Sequence, residues 1–203
     1  MAATAQQPAP GDDLAAALAA DLDGSFERLV LAYQDRLYAF ALRLSSSRCD
    51  AEEIAQDALV RAYRSLARWP AERVRALALR PWLYQIALNV YRNRTRGRRL
   101  RVVPLDTAED GHPATDPPAD EHERPEAVFA RAEHGAELAD LLAALPERYR
   151  VAIVLRYVAD LSYAEAAALL RQPVGTVKSN VHRGLVLLRA ALASASAAEE
   201  MRR

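Results

Sequence analysis

Two segments of the sequence collect side chains suited to gripping a polyanion and reading bases. Between Arg92 and Arg101 there are six arginines and no acid. Between Arg171 and Leu192 every charge is again positive: Arg171, Lys178, Arg183 and Arg189. Guanidinium and ammonium groups neutralise phosphates, whereas amides and short polar side chains can read base edges. On a helix expected from Pro81 to about Arg99, Gln85, Asn89, Arg92 and Arg96 follow one another at steps of four, three and four, with Asn93 at the edge of the stripe. That spacing keeps them on one face, opposite an apolar stripe of Leu83, Ile86, Ala87 and Val90.

The second segment obeys the same geometry on a helix expected from about Val174 to Leu192. Val174, Val177, Val181, Leu185 and Leu188 fall within about 80° of one another. Thr176, Ser179 and Arg183 lie opposite, with His182 and Asn180 at the shoulders and Lys178 nearer the side. A surface helix of an ordinary bundle mixes acids with its bases, and this face carries none. Just upstream, Ser162 followed three residues later by Glu165 is a reciprocal capping box for a short helix, ending at Arg171–Gln172–Pro173. A short capped helix, a tight connection and a longer helix with a polar cationic face together make a helix-turn-helix.

A third surface lies on a helix expected from Asp50, with Glu53 at its capping-box position, to about Ala67. Ala51, Ile54, Ala58, Ala62 and Leu66 face inward; Glu53, Gln56, Asp57, Val60 and Arg64 lie opposite. An apolar Val60 among charges marks a docking face.

Catalytic chemistry has no foothold. The sequence offers no nucleophile–base pair, no phosphate-binding glycine loop and no metal-ligand spacing, so no catalytic residue, metal or cofactor is expected. Cys49 is the single cysteine, and the histidines at 112, 122, 134 and 182 are scattered.

The elements that position these surfaces are helices. Alanine is abundant, glycine is scarce at 7 residues and phenylalanine at 3, and no β-branched alternating stretch occurs. The fold class is all-α, in two small helical domains. Residues 1–11 read as a disordered leader, and a short helix over roughly 12–20 follows. A longer helix from Asp23–Ser25 to the serines at 45–47 carries Phe26, Leu29, Val30, Tyr33, Leu37, Phe40, Ala41 and Leu44 on one stripe. Residues 71–79 fit either a loop or a short helix. The first domain spans 12–101. Residues 102–125 hold five prolines, many acids and little periodicity, which makes them a linker. The second domain spans 126–192, with one helix stopping before Pro146 and the next starting there, and residues 193–203 form a tail. The formal net charge of zero therefore conceals two basic segments flanking an acidic one. No stretch approaches the roughly 18 apolar residues of a membrane span, and no secretory signal opens the chain, so a cytoplasmic location without membrane insertion is expected.

These motifs resemble the extracytoplasmic-function group of bacterial sigma factors. DAEEIAQDALVRAYRSL is similar to the polymerase-docking helix of sigma region 2, WLYQIALNVYRNRTRGRR to its promoter-melting helix, and residues 145–189, with PVGTVKS most characteristic, to region 4. The segment between is too short for a folded region 3. The resemblance implies a subunit that binds core RNA polymerase, recognises promoter DNA and assists its opening without catalysis of its own. It places Glu53, Gln56, Asp57 and Val60 against the clamp coiled coil of the largest polymerase subunit. It assigns Asn89 and Asn93, beside Arg92 and Arg96, to the minus-ten element. Thr176, Lys178, Ser179, His182 and Arg183 fall to the minus-thirty-five element. The loop from Trp69 to Arg80 would hold a flipped-out base, the acidic linker would thread toward the active-site and RNA-exit channels, and an anti-sigma factor is the expected regulator. Arg171 stands where the family often has glycine, and Asn180 where arginine is common. A stand-alone helix-turn-helix regulator would account for residues 161–189 equally well, but not for the asparagine–arginine stripe.

Overall fold

The computed structural model describes residues 10–101 and 141–200, with side chains described for 13–96 and 141–194. The expected leader, apart from Pro10 and Gly11, and the whole linker lie outside the described residues. All regular structure among the described residues is helical.

Helix α1 spans Pro10–Ala20 and α2 Leu22–Ser45. Pro10 suits the first turn, where its missing N–H would have no partner in any case. Asp21 caps α2 by accepting from the Gly24 N–H at 3.0 Å. Helix α3, Arg48–Leu66, starts two residues before the expected Asp50. Its cap is Ser47, whose hydroxyl accepts from the Asp50 N–H at 3.3 Å. Asp50 therefore sits inside the first turn and is buried, and Glu53 is free to pair elsewhere. The segment after Trp69–Pro70 resolves into a short helix, α4 (Ala71–Arg75), and α5 runs Leu79–Arg101 with Pro81 in its first turn.

Helices α2 and α3 form an antiparallel hairpin and α5 packs across both. Leu29, Leu37, Phe40, Ala41 and Leu44 of α2 meet Ala51, Ile54, Ala58 and Ala62 of α3 in the buried core. Phe40 stacks on Tyr84 of α5 with ring centroids 5.0 Å apart. At the open end of the hairpin, the Tyr63 hydroxyl donates to Asp23 at 2.7 Å. Helix α1 lies over α4, α2 and α5, burying Leu14, Ala15 and Leu18.

The second half begins at residues 141–143, which are helical, with Leu142 and Leu145 buried. Helix α6 (Glu147–Ile153) continues into a π-helical turn, Val154–Val158, closed by Asp160 at φ 52°. Helix α7, Tyr163–Leu170, carries the expected capping box, with Ser162 and Glu165 bonded reciprocally at 2.7 and 3.2 Å. Arg171 ends it in the left-handed conformation, φ 56° and ψ 46°, where the Gln172 N–H reaches back to the Ala167 carbonyl at 3.0 Å. Helix α8 runs Val174–Glu200, past the expected stop at Leu192, because residues 193–200 are alanine-rich and contain no breaker. Gly184 is a point of close approach: a Cβ there would stand 2.6 Å from Ile153 Cδ1 and 3.0 Å from Tyr149 Cβ.

The halves are not separate in this structure. The π-helical turn packs on α2 and α7 on α5, and buried side chains of both halves form one continuous apolar cluster.

Candidate nucleic-acid interface

On α5 the buried surface is wider than one stripe. Leu83, Ala87 and Val90 are buried as expected, but so are Tyr84, Leu88 and Tyr91, because α5 has neighbours on several sides. What remains outside is short and polar. Asn89, Asn93 and Arg96 are exposed, and Gln85 is half-buried. Arg92 differs: it is half-buried in a cleft of about 230 Å³ together with Glu147, Arg148, Val151, Leu170 and Gln172. Arg94 turns the other way. Its guanidinium bonds the Glu53 carboxylate and lies 3.8 Å from Asp50, tying α5 to α3. Of the described arginines in the run, only Arg96 projects freely from the helix into solvent as the charge pattern alone would place it.

On α3, Gln56, Asp57 and Val60 are exposed, Val60 at 47%. They form a continuous outward face. Glu53 shares that face but is committed to Arg94, and it also accepts from the Cys49 thiol at 3.7 Å. The carboxylate of Glu53 and that hydrogen bond raise the thiol pKa, so Cys49 is an exposed but unactivated cysteine.

On α8, Val177, Val181, Leu185 and Leu188 are buried against the second half, whereas Val174 is 42% exposed because it precedes the packed turns. Thr176, Lys178 and His182 are exposed, and Ser179 and Arg183 half-buried. Lys178 Nζ stands 5.7 Å from the Tyr163 ring centroid, a cation–π contact across the turn. Arg183 does not point away from the domain. It bonds the Tyr149 hydroxyl, as Arg148 does at 3.1 Å. Burial raises the Tyr149 pKa, but these two guanidiniums outweigh it and the net shift is downward. The face presented to solvent is therefore Thr176, Lys178, His182 and part of Ser179, with no acid.

Two outward polar faces rich in amides, hydroxyls and cations, one of them on a capped helix-turn-helix, can position a phosphate backbone and read bases. Sequence comparison agrees half by half. Residues 29–101 match the family model of Sigma-70 region 2, and residues 135–188 that of Sigma-70, region 4. The RNA polymerase sigma-H factor of Pseudomonas aeruginosa is 34% identical over 78% of this chain and 81% of its own length. The chain belongs to the extracytoplasmic-function group of sigma-70 factors. Two other sigma factors of that group bear this out. SigE of Mycolicibacterium smegmatis is 35% identical over 85% of this chain, which spans 63% of that longer relative, and SigW of Bacillus subtilis is 32% identical over 81% and 87%. Among solved structures, a chain in the complex of CnrH with the cytosolic domain of CnrY matches with TM-score 0.63 and 27% identity, covering 90% of this chain and 97% of its own. The complex of sigma factor RpoE with anti-sigma factor NepR from Bartonella quintana matches with TM-score 0.58 and 28% identity, over 82% and 96%. With region 2 matched in the N-terminal half, this sigma factor is not a stand-alone helix-turn-helix regulator.

Three features of the sigma factor's polar surface escaped the sequence reading. Arg148 lines the cleft beside Arg92 and stacks on the Tyr149 ring at 4.7 Å. Arg156 of the π-helical turn sits between Tyr157 and Tyr163, at 5.7 and 5.5 Å from their centroids. Arg73 of α4 lies 3.9 Å over the Trp69 ring, which itself packs on Trp82 at 5.3 Å, giving the loop before α5 a cation-capped aromatic pair. The signal for the last was available, since both tryptophans flank the segment whose conformation was ambiguous.

Proposed function

We propose that this sigma factor binds core RNA polymerase through the outward face of α3, reads the minus-ten element with α5 and the minus-thirty-five element with α8, and promotes strand separation. Gln56, Asp57 and Val60 supply the docking face, against the clamp coiled coil of the largest subunit, with Glu53 at its edge. Asn89 and Asn93, flanked by Arg92 and Arg96, engage the separated strand. Thr176, Lys178, Ser179 and His182 meet the upstream element, with Arg183 behind them. The observation that carries this reading is the pair of acid-free polar faces, one in each half, each on the helix that aligns with a sigma region known by its own family model.

Bond formation belongs to the polymerase, and the chain supplies binding energy and position alone. It needs no metal or cofactor for that task. An anti-sigma factor is its regulator; the similar RpoE structure is of a sigma factor bound to one. No helix among the described residues is long and apolar enough to cross a membrane.

The test is transcription by reconstituted holoenzyme on a promoter library, with start sites mapped. Initiation should require both core enzyme and this chain. Asp57→Arg combined with Val60→Arg should weaken core binding about a hundredfold while leaving helicity intact, because both side chains are exposed and surface changes rarely disturb folding. Undiminished holoenzyme formation by the double variant would remove α3 from the interface.

A further inference from the structure

The two halves meet along a seam, where Arg80 of α5 donates to Asp160 at 3.2 Å and Arg150 donates to the Tyr91 hydroxyl at 3.2 Å. One residue beyond Tyr91, Arg92 enters the cleft of about 230 Å³ that α5 shares with α6 and the end of α7. Arg92 is half-buried there and makes no hydrogen bond or ion pair with any described residue. Arg148 of α6 lines the same cleft. Its direction is set by Tyr149, whose hydroxyl accepts from it at 3.1 Å and whose ring centroid lies 4.7 Å from it. Gln172 stands at the cleft because its N–H is tied back to the Ala167 carbonyl at 3.0 Å. Val151 and Leu170 add apolar wall, and Glu147 is the one acid of the lining.

Two guanidiniums that share a cleft repel, and apolar walls sharpen the repulsion by lowering the local dielectric. Glu147 does not relieve it, since it forms no ion pair with either arginine. Tyr149 registers the same surplus of positive charge: burial raises its pKa, yet Arg148 and Arg183 together carry it below the ordinary phenol value. The missing partner is an anion. The cleft is smaller than the roughly 300–1,000 Å³ of pockets for drug-sized ligands, so the anion is small. Planar forks of N–H donors match the paired oxygens of carboxylate or phosphate. Glu147 narrows the choice further. A carboxylate only accepts hydrogen bonds, so a ligand beside it must bring a proton of its own. Inorganic phosphate at neutral pH still carries a P–OH. Sulfate, carboxylates and the phosphodiesters of nucleic acid carry none.

We propose that the cleft between Arg92 and Arg148 binds a free phosphate ion, held by the two guanidiniums and the Gln172 amide and selected by a hydrogen bond from its own P–OH to Glu147. Tyr149 is a positioning residue, because it acts through Arg148. The site stands independently of the sigma-factor reading; its consequence rests on it. An occupied cleft engages Arg92, one of the cations assigned above to the minus-ten element, so phosphate and promoter strand draw on the same guanidinium.

The test is isothermal titration of the free full-length chain with inorganic phosphate at neutral pH and fixed ionic strength, beside sulfate and acetate. Phosphate should bind with a Kd on the order of 1 mM, within reach of so small a ligand. It should shift the Nε–Hε resonances of Arg92 and Arg148 and leave that of the exposed Arg68 in place. Sulfate and acetate should bind about tenfold more weakly, because neither can donate to Glu147. Arg148→Gln should lower phosphate affinity about tenfold and Arg148→Lys, which keeps the charge but loses the fork, about threefold, whereas Arg68→Gln changes nothing. Tyr149→Phe, which keeps the ring and removes the hydroxyl, should weaken phosphate about threefold. Glu147→Gln should erase the preference for phosphate over sulfate while sulfate binding holds or improves, an outcome that misfolding cannot produce. Absence of phosphate binding, binding that leaves the Arg92 and Arg148 resonances unmoved, or equal binding of sulfate by the unaltered chain overturns the proposal. So does a single-stranded oligonucleotide of scrambled sequence that binds through Arg148 where phosphate does not, which would assign the cleft to a nucleic-acid backbone. Inactive holoenzyme falls instead on the function proposed above, while the titration of the free chain still decides the site.

Discussion

Region 2 and region 4 solve the same problem, an acid-free polar face on a helix held from behind, with unequal means. Helix α5 is gripped by α1, α2, α3 and α7, and its polar stripe is reduced to what those contacts leave uncovered. Among the described residues, helix α8 rests mainly on α6 and α7, and its approach to α6 depends on one glycine. In both, the short side chains stay where the helix aims them: Asn89 and Asn93 in one, Thr176 and His182 in the other, all exposed. Most of the long ones are captured by neighbours, Arg94 by Glu53, Arg92 by the cleft and Arg183 by Tyr149, whereas Arg96 and Lys178 stay exposed. Helical phase sets the direction of Cα–Cβ, and a guanidinium several bonds further out goes to the best acceptor in reach.

The sharpest break in the comparison is at Gly184. Replacing it with alanine forces Ile153 and the Tyr149 backbone side of α6 apart, an overpacking that should cost about 1–3 kcal/mol. Urea denaturation followed by circular dichroism should show the loss in region 4. In the first half the glycine whose surroundings are described, Gly24, is crowded by its own cap, Asp21, and not by a neighbouring helix. An unchanged midpoint would mean that Ile153 swings aside freely and that α8 is not pinned there.

Next in size is the contribution of the short amides. Asn89→Ala with Asn93→Ala should reduce open complexes about tenfold while initial promoter binding changes far less, as permanganate footprinting and filter binding would show together. Normal strand opening in the double variant would assign melting to other residues, first the Trp69–Trp82 pair.

A smaller effect separates reading from bracing in region 4. Since Arg183 is engaged with Tyr149, Arg183→Ala should weaken holoenzyme binding about threefold, alike on promoters with an intact or scrambled upstream element, and Tyr149→Phe should mimic it. His182→Ala, with an exposed side chain, should lose about tenfold on the intact element alone. A loss for Arg183→Ala confined to the intact element would show that the guanidinium leaves Tyr149 to reach a base when DNA arrives.

Much of this was legible in the sequence. The apolar periods of α2, α3, α5 and α8 and the capping box at Ser162 are local signals, and the structure repeats them within a few residues; the departure at Arg171 followed from the family resemblance instead. The cap of α3 was misplaced because Ser47 and Asp50 are both good N-caps and only the backbone chooses between them. The π-helical turn and the seam were invisible for a different reason. Arg80 and Asp160 are 80 residues apart and Arg150 and Tyr91 59, and no periodicity within one helix reports a partner at that distance. The same holds for the site: its short residues followed from phase, and the fate of its arginines did not.

The smallest expected effect compares the two regions through their helix ends. Helix α2 stops at Ser46 and α7 at Arg171, each in the left-handed region at φ 56°. A non-glycine residue there brings its Cβ toward the following carbonyl, at roughly 1–2 kcal/mol, whereas glycine carries no such strain but loses more backbone freedom on folding. The two effects partly offset, so Arg171→Gly and Ser46→Gly should each stabilise the protein by about 0.5–1 kcal/mol. The sites lie in different halves, so the double variant should approach the sum in thermal and urea unfolding. The comparison carries information about side chains too. Ser46 is short, while Arg171 is exposed and follows Leu170, which lines the cleft at the seam. If Ser46→Gly stabilises and Arg171→Gly does not, the Arg171 side chain contributes enough in the folded state to cancel its backbone strain, and the departure from glycine at that turn is an interaction of this chain rather than a tolerated defect.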